Sequence, residues 1–270
     1  MILALFRLAV QVVRRFRGER YAQTAAALSF ATLLGLVPML VVGAALIEML
    51  PFGIKLSAAL EEFLRGTLLP EKAGDVIAKY LGQFAHRAGR VTWIGLAALG
   101  ATALLQMLTI ERAFDAIWKV RKQRPWLKRL GLHLLTLLLG PLVFGGALAS
   151  ITFLATASFG LVDEPHWIRM VFSETLPLAF LALLFSLLYW ALPNRPVSRW
   201  HAGIAGSLAA LAFVGMQRLF ALYVVKLPTY ALIYGAFAAV PIFLLWLYLS
   251  WSVILVGALV TAELPNAAGK

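Results

Sequence analysis

Residues 236–261 read AFAAVPIFLLWLYLSWSVILVGALVT, 26 residues without an Asp, Glu, Lys or Arg. About 20 apolar residues in a helix cross the roughly 30 Å of bilayer hydrocarbon. This stretch exceeds that length, and its apolar residues run on instead of alternating, so it reads as a transmembrane helix and not as a barrel strand. Backbone facing lipid must satisfy its own hydrogen bonds, which a helix does and an open strand does not.

Five more stretches follow the pattern. With the first they are Ala25–Leu50, Val91–Ile110, Gly131–Ala157, Leu176–Leu192, Ala202–Val225 and Ala236–Thr261. The chain of 270 residues is 62% hydrophobic and only 13% charged, with a mean hydropathy of +0.87. Soluble domains are about half apolar and about a quarter charged. These figures disfavour a soluble enzyme, a secreted domain and a disordered chain. The expected fold class is all-α: a polytopic membrane protein of six transmembrane helices, with residues 1–270 forming one domain. The absence of cysteine removes disulfides, thiolate metal sites and cysteine nucleophiles.

The net charge of +12 is distributed unevenly. With six spans, one side collects Arg7, Arg14, Arg15, Arg17, Arg20, Arg112, Lys119, Arg121, Lys122, Arg124, Lys128, Arg129, Arg195, Arg199 and Lys270. The other collects Lys55, Arg65, Lys72, Lys79, Arg87, Arg90, Arg169 and Lys226. The richer side is expected to be cytoplasmic, with both termini there and an anionic leaflet beside the basic loops. Residues 1–24 are expected to form an amphipathic cytoplasmic segment and not a cleaved signal. Its face of Arg7, Gln11, Arg14, Arg15 and Gly18 is read as wet, and Leu3, Phe6, Val10, Val13 and Phe16 lie mostly opposite. The loop 51–90 carries two apolar stripes separated by Pro70 and is expected to be a helical periplasmic cap.

Enzymatic patterns are missing from the sequence. His86, His133, His166 and His201 lack metal-ligand spacing. The inner-side acids Glu19, Glu111, Asp115 and Glu263 each stand near cations, unlike the carboxylate cluster of a two-metal nuclease. The expectation is a protein that is not an enzyme, with no cofactor, no metal and no nucleic-acid partner. What remains are polar groups in the wrong solvent. Arg218 lies inside span five, about 10 Å from its outer end at 1.5 Å per residue. A charge there faces an interior or wet cavity, or else snorkels to the headgroups. Arg218 and its neighbour Gln217, with Glu48, Glu174 and Tyr234, are the candidate ligand- or lipid-binding residues. A guanidinium also matches the oxygens of a lipid phosphate.

Glu111, Arg112, Asp115 and Trp118 form a motif at the inner end of span two. Asp115 and Lys119 are spaced for an i,i+4 ion pair, and Trp118 suits the interfacial belt. Ala202, Gly206 and Ala210 allow close helix contact, which permits a homo-oligomer. Pro38, Pro141 and Pro241 are expected to kink their spans.

Three stretches resemble the YihY/BrkB family of bacterial inner-membrane proteins. They are Ala25–Phe30 leading to Val37–Pro38, then Glu111–Trp118, and above all Tyr234–Trp251 followed by Gly257–Ala258. The family usually carries Leu where Phe114 stands and Asn where Asp115 stands. The resemblance implies six spans and an inner-membrane location. Longer relatives carry an added C-terminal cytoplasmic domain, which is not expected in this sequence. The family was long labelled ribonuclease BN, a label generally regarded as a misassignment, and its members have been linked to serum resistance and to lipid A or envelope phenotypes. It offers no catalytic residues to carry over. The leading functional expectation is therefore envelope lipid handling, with phospholipid or lipid A-type partners. The alternatives are a non-transporting scaffold for an envelope protein complex and, less favoured, the tRNA-processing ribonuclease.

Overall fold

Uncharged stretches of this length close their backbone hydrogen bonds internally as helices, and the computed structural model of the chain shows this. It describes residues 2–48, 93–121, 125–129, 131, 166–225 and 239–268. The long helices among them are α1 (Ile2–Gly18), α2 (Tyr21–Glu48), α3 (Trp93–Ile117), α4 (His166–Ala191), α5 (Arg199–Val225) and α6 (Ala239–Ala268). Five of the six expected spans fall on α2 to α6. The third span, apart from Gly131, and the expected cap over 51–90 lie outside the described residues. Arg199–Val224 and Val240–Asn266 are long and apolar enough to cross a membrane, and Pro177–Ala191 is a shorter apolar helix.

The expected N-terminal segment is divided. α1 ends at Gly18, Arg20 adopts φ 58°, and Tyr21 opens α2. The Gln23 and Thr24 N–H groups donate to the Arg20 carbonyl (2.9 and 3.3 Å). Residues 21–24 are thus the first turn of α2. The end of α3 is sharper. Lys119 sits at φ 52°, its N–H donates to Ala116 O (3.1 Å), and the Val120 N–H donates to Asp115 O (2.9 Å). This pair of bonds is a Schellman cap with lysine in the position glycine usually holds.

Two of the prolines expected to kink their spans lie in described helices. α2 continues through Pro38, and Pro241 falls in the first turn of α6, where a helix has no use for the missing N–H. Pro141 lies outside the described residues.

The chain divides into two compact units. One comprises Met1–Leu33, Thr109–Arg124 and Thr175–Lys270, the other Leu34–Leu108 and Pro125–Glu174. In the first, α6 packs on α5 and on α1. Its core is a file of aromatic rings 5.1–6.4 Å apart between centroids: Trp118, Phe114, Tyr189, Phe185, Phe213, Trp246 and Phe220. The Tyr189 hydroxyl donates to Ile254 O at 3.0 Å, which satisfies the one polar atom its buried ring carries inward.

Small residues let these helices meet. Ala202, Ala205, Gly206, Ala209 and Ala210 are buried. A Cβ on Gly206 would stand 2.6 Å from Ser186 N and 2.8 Å from Ser186 Cα. The α5 patch read as permitting a homo-oligomer is therefore taken up within the chain. In the second unit α2 approaches α3 at Gly35, where a Cβ would stand 3.1 Å from Cδ of the buried Gln106. Residues 126–129 form one helical turn.

Candidate functional site

Helix ends collect polar groups because their last carbonyls and first N–H groups lack partners. In the first unit the ends of α1, α3 and α6 and the start of α2 converge on one arginine. Arg15 follows Leu8 and Val12 on α1 at positions i+7 and i+3, and those two residues are buried. Its guanidinium is carried inward with them.

Arg15 donates from Nε and Nη2 to the two carboxylate oxygens of Glu19, both at 3.0 Å. Nη1 donates to Glu263 Oε1 at 2.6 Å, and Nη2 to the Ile117 carbonyl at 2.9 Å. The Tyr21 hydroxyl donates to Glu19 Oε2 at 2.8 Å. Lys119 Nζ stands 3.5 Å from Glu19 Oε1, and Asn266 donates to Glu263 Oε2 at 2.9 Å. The Arg15 fork holds the Glu19 carboxyl down at about 2, against the opposing effect of burial. Burial, then the hydrogen bond to Glu19, push the Tyr21 phenol above its ordinary range. The Arg15 guanidinium is held charged because its two carboxylates outweigh its burial.

A second set adjoins on α3. Glu111, Phe114, Asp115, Ile117 and Trp118 are buried, while Arg112 is exposed. The expected Asp115–Lys119 geometry is altered by the cap. Lys119 lies beyond the helical residues and turns to Glu19, while Asp115 Oδ1 accepts the Asn194 N–H at 3.0 Å. Arg195 Nη1 donates to the Trp118 carbonyl at 3.3 Å. The α3 motif thus clasps the turn between α4 and α5. Chemically, both sets are fasteners: Glu19, Glu263 and Asp115 each accept hydrogen bonds from donors on other segments or the same turn.

The proposed ligand residues are not brought together by the described residues. Arg218 is exposed on α5, along a stripe with exposed Leu211 and Leu222, and Gln217 is half-buried. This is an outward placement, so Arg218 does not sit in an interior of the first unit. Glu48 ends α2 and Glu174 lies in α4, but their side chains are outside the described residues, as is Tyr234. The sequence reading missed the role of Arg15, which it placed on the wet face. The signal available was its spacing from Leu8 and Val12.

Membrane-length apolar helices, with no strand among the described residues, define a class, the helical membrane proteins. The particular family follows from comparison: the profile of the virulence factor BrkB family matches residues 12–270, and the chain belongs to that family. It is 49% identical to the UPF0761 membrane protein of Azoarcus sp. (strain BH72), over 93% of this chain and 62% of that one. It is 47% identical to the UPF0761 membrane protein of Aromatoleum aromaticum, over 93% and 62%, and 42% identical to that of Nitrosospira multiformis, over 96% and 63%. The chain thus spans less than two thirds of the length of these curated relatives. No solved structure matches it.

Proposed function

We propose that this chain is a six-span inner-membrane protein, with both termini cytoplasmic, that binds and moves envelope lipids without covalent chemistry. The observation that carries this reading is Arg218. It stands on an exposed leucine stripe of α5, a helix long and apolar enough to cross a membrane. Val225 ends that helix seven residues on, about 10 Å along the axis. A lipid-facing charge at that depth is costly, and a phospholipid or lipid A phosphate drawn inward offsets the cost through the guanidinium fork. In this reading Arg218 serves a lipid path along the surface of α5 and not an enclosed cavity.

The experiment is translocation of headgroup-labelled lipids, including a lipid A precursor, in proteoliposomes. Native protein moves lipid between leaflets, Arg218→Ala loses most of that movement, and Arg218→Lys retains part of it. A folded native protein that moves no lipid refutes the reading.

A second reading, a scaffold for an envelope protein, draws support from the exposed Trp126 and Leu127 beside Lys128, an aromatic and basic edge suited to a partner. Retention of a defined partner after mild detergent extraction, and its loss in Trp126→Ala, would favour that reading.

A further inference from the structure

The clasped turn between α4 and α5 also forms a groove, which Arg218 does not line. Its volume is about 540 Å³, and Trp190, Pro193, Asn194, Arg195 and Val197 line it. The sequence places this turn between two apolar stretches, at a membrane–water boundary.

Arg195, which lines it, and Arg199, which lies over its Trp190 wall, differ from the cations of the α1 cluster. There, Arg15 and Lys119 are paired with carboxylates. Here, Arg195 is anchored through Nη1 to the Trp118 carbonyl, and the Arg199 guanidinium lies 5.1 Å over the Trp190 ring. Among the described residues, no carboxylate forms a salt bridge with either. A carbonyl and an indole hold the guanidinium groups in place without cancelling their charge. Asp115 of the clasp accepts the Asn194 N–H and forms no salt bridge with either arginine. The groove therefore presents guanidinium groups that no carboxylate of the described residues salt-bridges, beside the apolar Pro193, Val197 and Trp190. Trp200 stands 83% exposed beside it in sequence, an amphipathic ring suited to headgroup depth.

We infer that the α4–α5 turn is a binding site for a phosphate group, held by Arg195 and Arg199 and framed by Trp190. Planar guanidinium forks match phosphate oxygens two at a time. The apolar wall of Pro193, Val197 and Trp190 suits the glycerol and upper acyl region of a lipid, and the same charges also suit a free phosphate. Binding here does not require lipid movement, so the site stands or falls separately from the translocation reading.

The test is native mass spectrometry of the full chain, titrated with phosphatidylglycerol, phosphatidylcholine and inorganic phosphate in separate arms. The variants are R195Q/R199Q, R199Q alone, and R17Q as an exposed cation elsewhere. Circular dichroism melting checks that each variant folds. R199Q guards against misfolding, since among the described residues Arg199 contacts the Trp190 ring and joins none of the clasp's hydrogen bonds.

The expected result is a loss of about tenfold in phosphatidylglycerol affinity for R195Q/R199Q. A smaller loss follows for R199Q, and R17Q stays within about twofold of native. Binding of inorganic phosphate that depends on both arginines assigns the site to a free phosphate group, and lipid binding without it assigns the site to a headgroup. Equal binding of all these ligands by native protein and R195Q/R199Q overturns the inference, whatever Arg218→Ala does to translocation.

Discussion

Replacing Arg15 by Ala removes four hydrogen bonds that tie α1 to the α1–α2 turn, the end of α3 and the last turns of α6. The arms are unequal. The Glu263 arm is short, at 2.6 Å, and the two side chains are only 15% and 12% exposed. Removing one partner of a well-buried pair costs about 3–5 kcal/mol, and partial exposure places this arm near the lower bound. The Glu19 side chain is more exposed, so its two bonds contribute about 0.5–1 kcal/mol. The Ile117 carbonyl adds about 1 kcal/mol as an acceptor left without its donor. Arg15→Ala should therefore destabilise the protein by about 5 kcal/mol. A double-mutant cycle separates the arms: Arg15→Ala with Glu263→Gln should show a coupling of about 2 kcal/mol, and with Glu19→Gln less than about 1 kcal/mol. The assay is reversible unfolding in mixed micelles, followed by circular dichroism. Coupling to Glu19 that exceeds coupling to Glu263 would refute the reasoning, because exposure would then not be ranking the arms.

Gly206→Ala places a Cβ against the Ser186 backbone, which cannot yield as a side-chain tip would, and should cost about 2–3 kcal/mol. Gly203→Ala, with nothing within 4 Å of its Cβ, should be neutral or gain up to about 1 kcal/mol; thermal melting compares the two. Arg20→Gly relieves the φ of 58° and should stabilise by about 1 kcal/mol, seen as a raised melting temperature. The Glu19 carboxyl, held at about 2 against an ordinary 4.5, binds its proton more readily in the unfolded chain. Its contribution is therefore present above pH 4.5 and is lost as the pH falls toward 2, about 1 kcal/mol after solvent screening. Glu19→Gln should remove that part of the acid slope in a pH series of melts.

Much of the helical layout is legible as apolar run length, since burial in lipid leaves the backbone no alternative. The buried face of α3 is legible too: Glu111, Asp115 and Trp118 recur at i, i+4 and i+7, the period of one helical face. The cap at Lys119 is not, because lysine in a left-handed position gives no warning that the helix stops there and that the i,i+4 partner of Asp115 is carried away. The joining of Arg15 to Glu263 is hidden for a different reason. Local periodicity shows that Arg15 shares a face with Leu8 and Val12, but nothing local names a partner 248 residues on. Arg218 is conspicuous in sequence because it interrupts an apolar run. Its direction is set by which side of α5 meets α6, a tertiary choice that hydropathy alone does not encode.

The separation of Arg15 from Glu263 has a consequence in time. Residue 15 leaves the ribosome well before residue 263 does. At about 5–20 residues per second, the 248 intervening residues keep the arginine waiting for roughly 12–50 seconds. Throughout that interval α1 has its turn and Glu19 for company, while the helix it will lie against has yet to be made. The first unit can close only when α6 arrives, so α1, made well before α6, must wait for the helix it finally lies against.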